Sequence, residues 1–402
     1  MAKDTPLPPP TSTAVASPKA PGSTDQETPP QLQLEGVAVE VGGSTHLYDT
    51  DLSLAAGLNV LIGSTGAGKT TLMRLMAGLD RPTRGRITLN GRDMSGVAVQ
   101  KRNTAMVYQQ FINYPSLTVY QNIASPLKIQ GVPRTEIDRR VQEVAELVRI
   151  DHLLNLLPAE LSGGQQQRTA MARALVKDAQ LLLFDEPLVN LDYKLREELR
   201  TELRDLFKRR RAIVVYATTE PLEALLLGGH LVVMDRGRVL QSGPTVAVYH
   251  RPNSVRVGEV FSDPPINLMD GQVSDGEAQL GGGWSIPLQG HLQGRAPGSY
   301  RFGIRANHLS ITPVGPDAVP LATTIELAEV NGSETFIHVG HHGGSWVVQE
   351  EGVHPMGLGQ GLQVFLDPHH LFAFDGDGRL VAAPPRPGTR ASTTWEGGHG
   401  SH

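Results

Sequence analysis

One octapeptide constrains this chain more than any other stretch. Gly63-Ser64-Thr65-Gly66-Ala67-Gly68-Lys69-Thr70 fits G-x4-G-K-[ST] at every fixed position. It follows Leu58-Asn59-Val60-Leu61-Ile62, an apolar run of strand length. It precedes residues 69–79, where Leu72, Leu75, Met76 and Leu79 share one helical face and Gly78 marks a stop. Strand, glycine-rich loop and helix in that order aim backbone N–H groups and a helix N-terminus at a phosphate. These eight residues, with Thr71 next to them, therefore read as a nucleotide site. Lys69 would reach the β- and γ-phosphates, and the Thr70 hydroxyl would ligate Mg²⁺.

The surrounding pattern fits a parallel sheet covered by helices. Leu32, Leu34, Val37, Val39 and Val41 alternate as a strand does, and residues 52–54 form a second short piece. Residues 134–148 carry Ile137, Val141, Val144, Ala145 and Val148 at helical spacing. Residues 162–177 read as another helix, and 195–209 as a charged one with Leu199, Leu203 and Leu206 inward. The apolar runs 181–185 and 212–217 read as core strands. Alternation of this kind predicts an α/β domain. Beyond about Pro252 the helical period fades. Short segments at 299–304, 323–327, 335–339, 346–349 and 362–366, separated by Gly, Pro and His, predict a small β domain of barrel type.

Three further motifs narrow the reading. Leu181-Leu182-Leu183-Phe184-Asp185-Glu186 is an apolar strand ending in two acids. Asp185 is placed to hold Mg²⁺, and Glu186 to take a proton from attacking water. Leu161-Ser162-Gly163-Gly164-Gln165-Gln166-Gln167-Arg168 opens a helix with a capping serine, a second anion-binding N-terminus. In this order the motifs resemble those of the ABC ATPases over roughly 32–375, most specifically over 32–248. The resemblance implies a P-loop ABC ATPase domain, a RecA-like core plus a helical subdomain, followed by a small C-terminal β-barrel of OB/TOBE type. It implies that Ser162, Gly163, Gly164 and Gln165 face the γ-phosphate held by an opposing subunit. It implies that Asp192, in the stretch 188–192, reaches across a dimer. Gln109, in Met106-Val107-Tyr108-Gln109-Gln110, resembles the glutamine that touches the metal and attacking water, with Gln110 as the alternative register.

Gly303-Ile304-Arg305-Ala306-Asn307-His308-Leu309 is similar to the G-I-R-P-E-H-L element of carbohydrate-importer ATPases, and residues 329–336 resemble the next strand of that β domain. Residues 108–115 and 216–229 are most similar to ATPases of bacterial glycerol or glycerol-3-phosphate uptake. The family so implied is an ATP- and Mg²⁺-using transport subunit at the cytoplasmic face of the membrane. Its partners would be transmembrane permease subunits, a second ATPase subunit and, indirectly, a periplasmic solute-binding protein.

Two positions depart from that family. In Val215-Tyr216-Ala217-Thr218-Thr219-Glu220-Pro221, Thr219 takes the place of the switch histidine. Threonine can donate to a γ-phosphate but lacks imidazole's reach and charge. This favours pairing with a different ATPase that carries the histidine over pairing with a second copy, and it leaves a binding or regulatory subunit as the alternative to a fully catalytic one. The adenine-stacking aromatic is also missing near Val41, Gly42 and Gly43; His46 and Tyr48 are the nearest candidates. A soluble ABC protein of repair or translation is a third class, disfavoured by the single P-loop.

Composition sets the limits. With Lys+Arg 36 against Asp+Glu 41 there is no electrostatic case for nucleic acid, and with no cysteine there is none for disulfides or thiolate chemistry. No apolar run reaches the roughly 18–20 residues of a membrane span. Met1–Pro30, with eight prolines and no apolar centre, reads as a disordered arm and not a secretion signal. The expected organisation is an arm over 1–31, an ATPase domain over 32–250 with its helical subdomain at about 115–175, a β domain over 251–383 and a disordered tail over 384–402. The pairs His341-His342 and His369-His370 read as loop histidines without metal partners, His230 as a turn residue, and the basic run 208–211 as a helix end.

Overall fold

The computed structural model describes residues 29–386, apart from 190, 282, 342 and 343. Residues 1–28 of the expected arm and the tail from 387 lie outside them, while Gln31, assigned above to the arm, opens a strand. In chain order the first elements are β1 (Gln31–Val41), β2 (Ser44–Ala55), β3 (Gly57–Ile62), α1 (Lys69–Ala77), β4 (Arg84–Leu89), β5 (Arg92–Asp93), β6 (Thr104–Val107), α2 (Val119–Ile129), α3 (Arg134–Leu147) and α4 (Gly163–Leu175). There follow β7 (Leu181–Asp185), α5 (Tyr193–Arg209), β8 (Ile213–Thr218), α6 (Pro221–Leu227), β9 (His230–Asp235), β10 (Arg238–Pro244), α7 (Thr245–His250) and α8 (Val255–Val260). The remainder comprises β11 (Asn267–Ser274), β12 (Glu277–Leu280), β13 (Trp284–Pro287), β14 (Gly298–Ile304), β15 (Leu309–Ser310), β16 (Val319–Asn331), β17 (Glu334–His341), β18 (Gly344–Glu351), β19 (Gly361–Leu366), β20 (Phe372–Phe374) and β21 (Leu380–Ala382).

The ATPase part is built on a six-stranded sheet of order β10-β9-β3-β8-β7-β6. All its pairings are parallel except that of β10 with β9. Its central strands β7 and β8 are almost wholly apolar because both faces are buried. Val60, Ile62, Leu182, Phe184, Val214 and Tyr216 face a core shared with α2 to α6. Their neighbours Leu61, Leu181, Leu183, Ile213, Val215 and Ala217 face α1 and the antiparallel sheet β2-β1-β4-β5. The period of two thus divides each strand between two cores.

The structure corrects several expectations. The short piece at 52–54 is the end of the twelve-residue β2, in which Leu47, Thr50, Leu52 and Leu54 are buried between exposed polar residues. Leu79 lies beyond the end of α1 and is exposed; Gly78 caps the helix in the left-handed region at φ 79°. His230 opens β9 and is not a turn residue. The helix α2 was unforeseen because Pro126 sits inside it. A reciprocal capping box offsets that: Gln121 N–H donates to Thr118 Oγ1 at 3.2 Å and Thr118 N–H to Gln121 Oε1 at 3.0 Å. Asn122, fully buried in α2, donates to the carbonyls of Tyr114, Leu117 and Thr118 and so fixes the loop before the helix.

The C-terminal part has two antiparallel sheets, β13-β12-β11-β14-β20-β21 and β15-β19-β16-β17-β18, around one core that includes Phe302, Ile337, Trp346 and Leu366. Trp346 Nε1 donates to Leu268 O at 3.1 Å, tying one sheet to the other. Residues 329–336 are not one strand: they cross from β16 to β17 through a turn, with Glu329 opposite Phe336. The last strand returns to the ATPase part, where Leu380 N–H donates to Asn253 O and Val255 N–H to Gly378 O.

Candidate functional site

The site forms where β3, β7 and β8 end side by side. Ile62 pairs with Thr218 and Asp185 with Ala217, so the residues that follow these strands come out at one edge of the sheet. From β3 the chain turns through 63–68 into α1. Gly63 admits no side chain, since a Cβ there would sit 2.4 Å from Met234 O. Gly68, at φ 99°, takes a left-handed conformation immediately before α1. Lys69 is 4% exposed, and its Nζ donates to Gly63 O at 2.7 Å and Ser64 O at 3.3 Å, across the loop.

Five side chains expected from the sequence converge here. Thr70 Oγ1 donates to Asp185 Oδ2 at 2.7 Å. Lys69 Nζ lies 3.4 Å from Glu186 Oε1. Gln109 Nε2 donates to Glu186 Oε2 at 3.1 Å. Burial holds the Lys69 ammonium below its ordinary value, against the pull of Glu186 and Asp185. Burial likewise pushes the Asp185 carboxyl up; the Thr70 hydrogen bond opposes this, the Glu186 charge adds to it and Lys69 offsets it. Glu186 itself is held at φ 48°, unusual for a non-glycine residue, with its N–H donated to Ala217 O.

Thr219 follows β8 and borders the same small cavity as Glu186, Arg196 and Glu220. The preceding residue, Thr218, is tied to Glu223, which is 6% exposed. The Tyr216 hydroxyl donates to Glu223 Oε1 at 2.6 Å, Thr218 Oγ1 donates to Oε2, and Thr218 Oγ1 accepts from Glu220 N–H. Burial raises the Glu223 carboxyl above the ordinary range, while Thr218 and Tyr216 pull it down. Nothing in the sequence pattern marked Glu223, because an acid on an amphipathic helix ordinarily faces water. Glu223→Ala is expected to cost about 2–4 kcal/mol of stability, since it strands the buried Tyr216 hydroxyl and leaves a cavity; Glu223→Gln should cost less than half of that. A carboxyl raised in the folded state contributes its stability fully below its unfolded value and loses it as pH rises through the folded one. The advantage of wild type over Glu223→Gln in urea unfolding should therefore shrink with rising pH.

The signature residues stand elsewhere. Ser162 caps α4, accepting from Gln165 N–H at 3.4 Å while Gln165 Oε1 accepts from Ser162 N–H at 2.9 Å; Gly163 and Gly164 form the exposed first turn. Asp192 caps α5 through Leu195 N–H at 3.0 Å. Two unforeseen links join α4 to the site: Gln167 Nε2 donates to Pro187 O at 2.6 Å, directly after Glu186, and Asn113 Nδ2 to Gln166 O at 2.8 Å, beyond Gln109. Arg196 bridges Glu220 at 2.9 Å and Val189 O at 3.3 Å.

Of the adenine candidates, Tyr48 has the Arg238 guanidinium over its ring at 3.5 Å, and its N–H donates to Gly237 O. The histidine pairs need one correction. His369 Nδ1 lies 2.9 Å and His370 Nε2 3.8 Å from Asp367, so a carboxylate partner does exist, and His370 stacks on His308 at 3.9 Å. Among the described residues no cluster of three or more potential metal ligands forms; His342 lies outside them. Among the described residues no helix is long and apolar enough to cross a membrane.

A nucleotide loop and an acid pair at the end of a strand of the same sheet define a P-loop nucleotide hydrolase. The comparisons make the class specific. The ABC transporter family pattern matches residues 47–189 and the TOBE domain pattern 302–374. The sn-glycerol-3-phosphate import ATP-binding protein UgpC of Chromohalobacter salexigens is 39% identical over 87% of this chain and 95% of its own length. That of Salmonella typhi is 36% identical over 86% and 98%. A dimeric ATP-binding cassette in a post-hydrolysis state, bound to ADP and Pi, superposes with a TM-score of 0.50 at 26% identity, covering 53% of this chain and 98% of the other. This chain belongs to the ABC transporter family and is an ATP-binding ATPase subunit with a C-terminal TOBE domain.

Proposed function

We propose that this subunit drives import of a small phosphorylated polyol, sn-glycerol-3-phosphate or a close analogue, through separate transmembrane permease subunits at the cytoplasmic face of the membrane. The observation that carries the reading is the near full-length likeness to the UgpC proteins. Uptake of labelled sn-glycerol-3-phosphate and glycerol by cells carrying the chain with its permeases tests the solute. Uptake of neither, or uptake that survives Lys69→Ala, overturns it.

At the site, the loop from Gly63 to Thr70, with Thr71, surrounds the ATP phosphates, and Lys69 swings from the loop carbonyls to the β- and γ-oxygens. The Thr70 hydroxyl, the Asp185 carboxylate and Gln109 fit a hard divalent cation: all can offer oxygen, and the Thr70 and Asp185 oxygens are adjacent. Mg²⁺ bound there would neutralise charge on the phosphates. Glu186 accepts the proton of the attacking water, Gln109 orients that water, and Thr219 donates to the γ-phosphate. Ser162, Gly163, Gly164 and Gln165 serve the site of an opposing subunit, as Asp192 does from its loop.

A second reading concerns the partner. Thr219 gives a weaker grip on the γ-phosphate than a histidine would, which favours pairing with a second ATPase that supplies the histidine in its own site. Thr219→His is then expected to raise ATP turnover of the purified chain about tenfold, the worth of one charge-assisted hydrogen bond. Thr219→Ala should lower it less than about threefold on the same scale. A homodimer already hydrolysing ATP at the full transporter rate, and insensitive to both changes, would sink the idea.

A further inference from the structure

The junction between the two parts of the chain encloses a cavity of about 410 Å³, within the range of small-molecule sites. One wall is α6, through Pro221, Leu222 and Leu225; the other is the β domain and the loop leading into it. Arg305 lines it. This guanidinium is 4% exposed and lies 3.5 Å over the Tyr249 ring. Its Nη2 donates to Tyr249 O at 2.7 Å. Its Nη1 is buried without a hydrogen-bond partner, and among the described residues no carboxylate stands within ion-pair distance of it. A buried, unpaired cation is costly: burial alone drags this guanidinium down to about 10. A second buried atom on the same wall, Ser262 Oγ, also lacks a partner.

We infer that this cavity is a binding site for a small oxyanion, a phosphate or carboxylate on a hydroxylated carbon skeleton, received by Arg305 and Ser262. Asn307 and Asn331 line the cavity and can serve the hydroxyl groups. Asn307 places a neutral amide, and no charge, on this part of the lining. Two acids remain at the lining. Glu334 is already engaged by Gln349 Nε2 at 3.0 Å, and Asp263 is exposed. They select for a ligand of low charge and disfavour polyanions such as nucleotides. Nη1 and Ser262 Oγ are sealed from bulk water, so binding requires the cavity wall to yield locally beside them. Because α6 starts two residues after Thr219, the ligand would lie against the element that carries the switch position.

The test uses the full chain with its P-loop filled by a non-hydrolysable ATP analogue, so that added anions cannot report on Lys69. Thermal unfolding is followed against inorganic phosphate and against glycerate, with chloride holding ionic strength constant. A saturable rise in Tm is expected with one or both, and which of them acts assigns the anion. Asn307→Glu changes an exposed residue and should weaken the effect at least tenfold, as should Arg305→Lys. Ser262→Ala should weaken it several-fold. No rise with either anion, an equal rise with chloride, or saturation at the same concentration in Asn307→Glu overturns the assignment. A rise abolished by Lys69→Ala but kept by Asn307→Glu places the anion at the P-loop and overturns it as well.

Discussion

Lys69→Ala is expected to weaken ATP binding about a hundredfold or more and to abolish measurable hydrolysis. The size follows from the environment of the ammonium. Lys69 is buried, and burial has already depressed its affinity for a proton. Its present partners are two loop carbonyls and Glu186. Exchange of those for phosphate oxygens creates charge-assisted hydrogen bonds worth about 1.5–3 kcal/mol each, and 1.4 kcal/mol is a factor of ten. Alanine removes both and leaves Glu186 and Asp185 facing the phosphates with no cation between them. Titration of a fluorescent ATP analogue into the purified variant measures the loss. Binding within threefold of wild type would mean that the backbone N–H groups carry the nucleotide alone.

Glu186→Gln is expected to separate binding from chemistry. Glutamine preserves the shape and can hold the same hydrogen bond to Gln109, so the left-handed backbone at φ 48° should survive. What disappears is the proton acceptor, and loss of a general base costs about 10²–10⁴ in rate. ATP affinity should stay within about threefold, as no phosphate contact is removed. Single-turnover hydrolysis by the purified chain is the measurement; a rate within twofold of wild type would assign proton transfer to another group. The same variant in the assembled transporter weighs the two readings of Thr219. A full collapse of turnover means that this chain's own site hydrolyses, and a small loss means that it chiefly binds while its partner turns over.

Much of this was legible because it is local. The nucleotide loop requires glycine at fixed offsets, and a strand buried on both faces must be apolar, so β3, β7, β8 and the motifs that follow them could be read directly. The helices α3, α4 and α5 announced themselves by periodicity and caps. Elements whose stability comes from elsewhere were hidden. The strand β2 is half polar and stands on its pairing with β1, and α2 survives Pro126 through its capping box and the burial of Asn122. His230 follows two glycines yet extends the sheet because Asn59 lies beside it.

The sequence by itself determined the phosphate loop, its flanking strand and helix, the acid pair and the identity of Thr219, since each is a choice of residue type at a short, fixed spacing. Only the tertiary structure decided which of them meet. Strands β3, β7 and β8 are far apart in the chain, and their parallel register brings Lys69, Thr70, Asp185, Glu186 and Thr219 to one edge. The burial of Glu223 beneath Thr218, and of Arg305 beside a cavity at the junction, depends on the packing of α6 and the β domain. The cost of a buried polar group is set by what surrounds it in space, and sequence spacing does not record that.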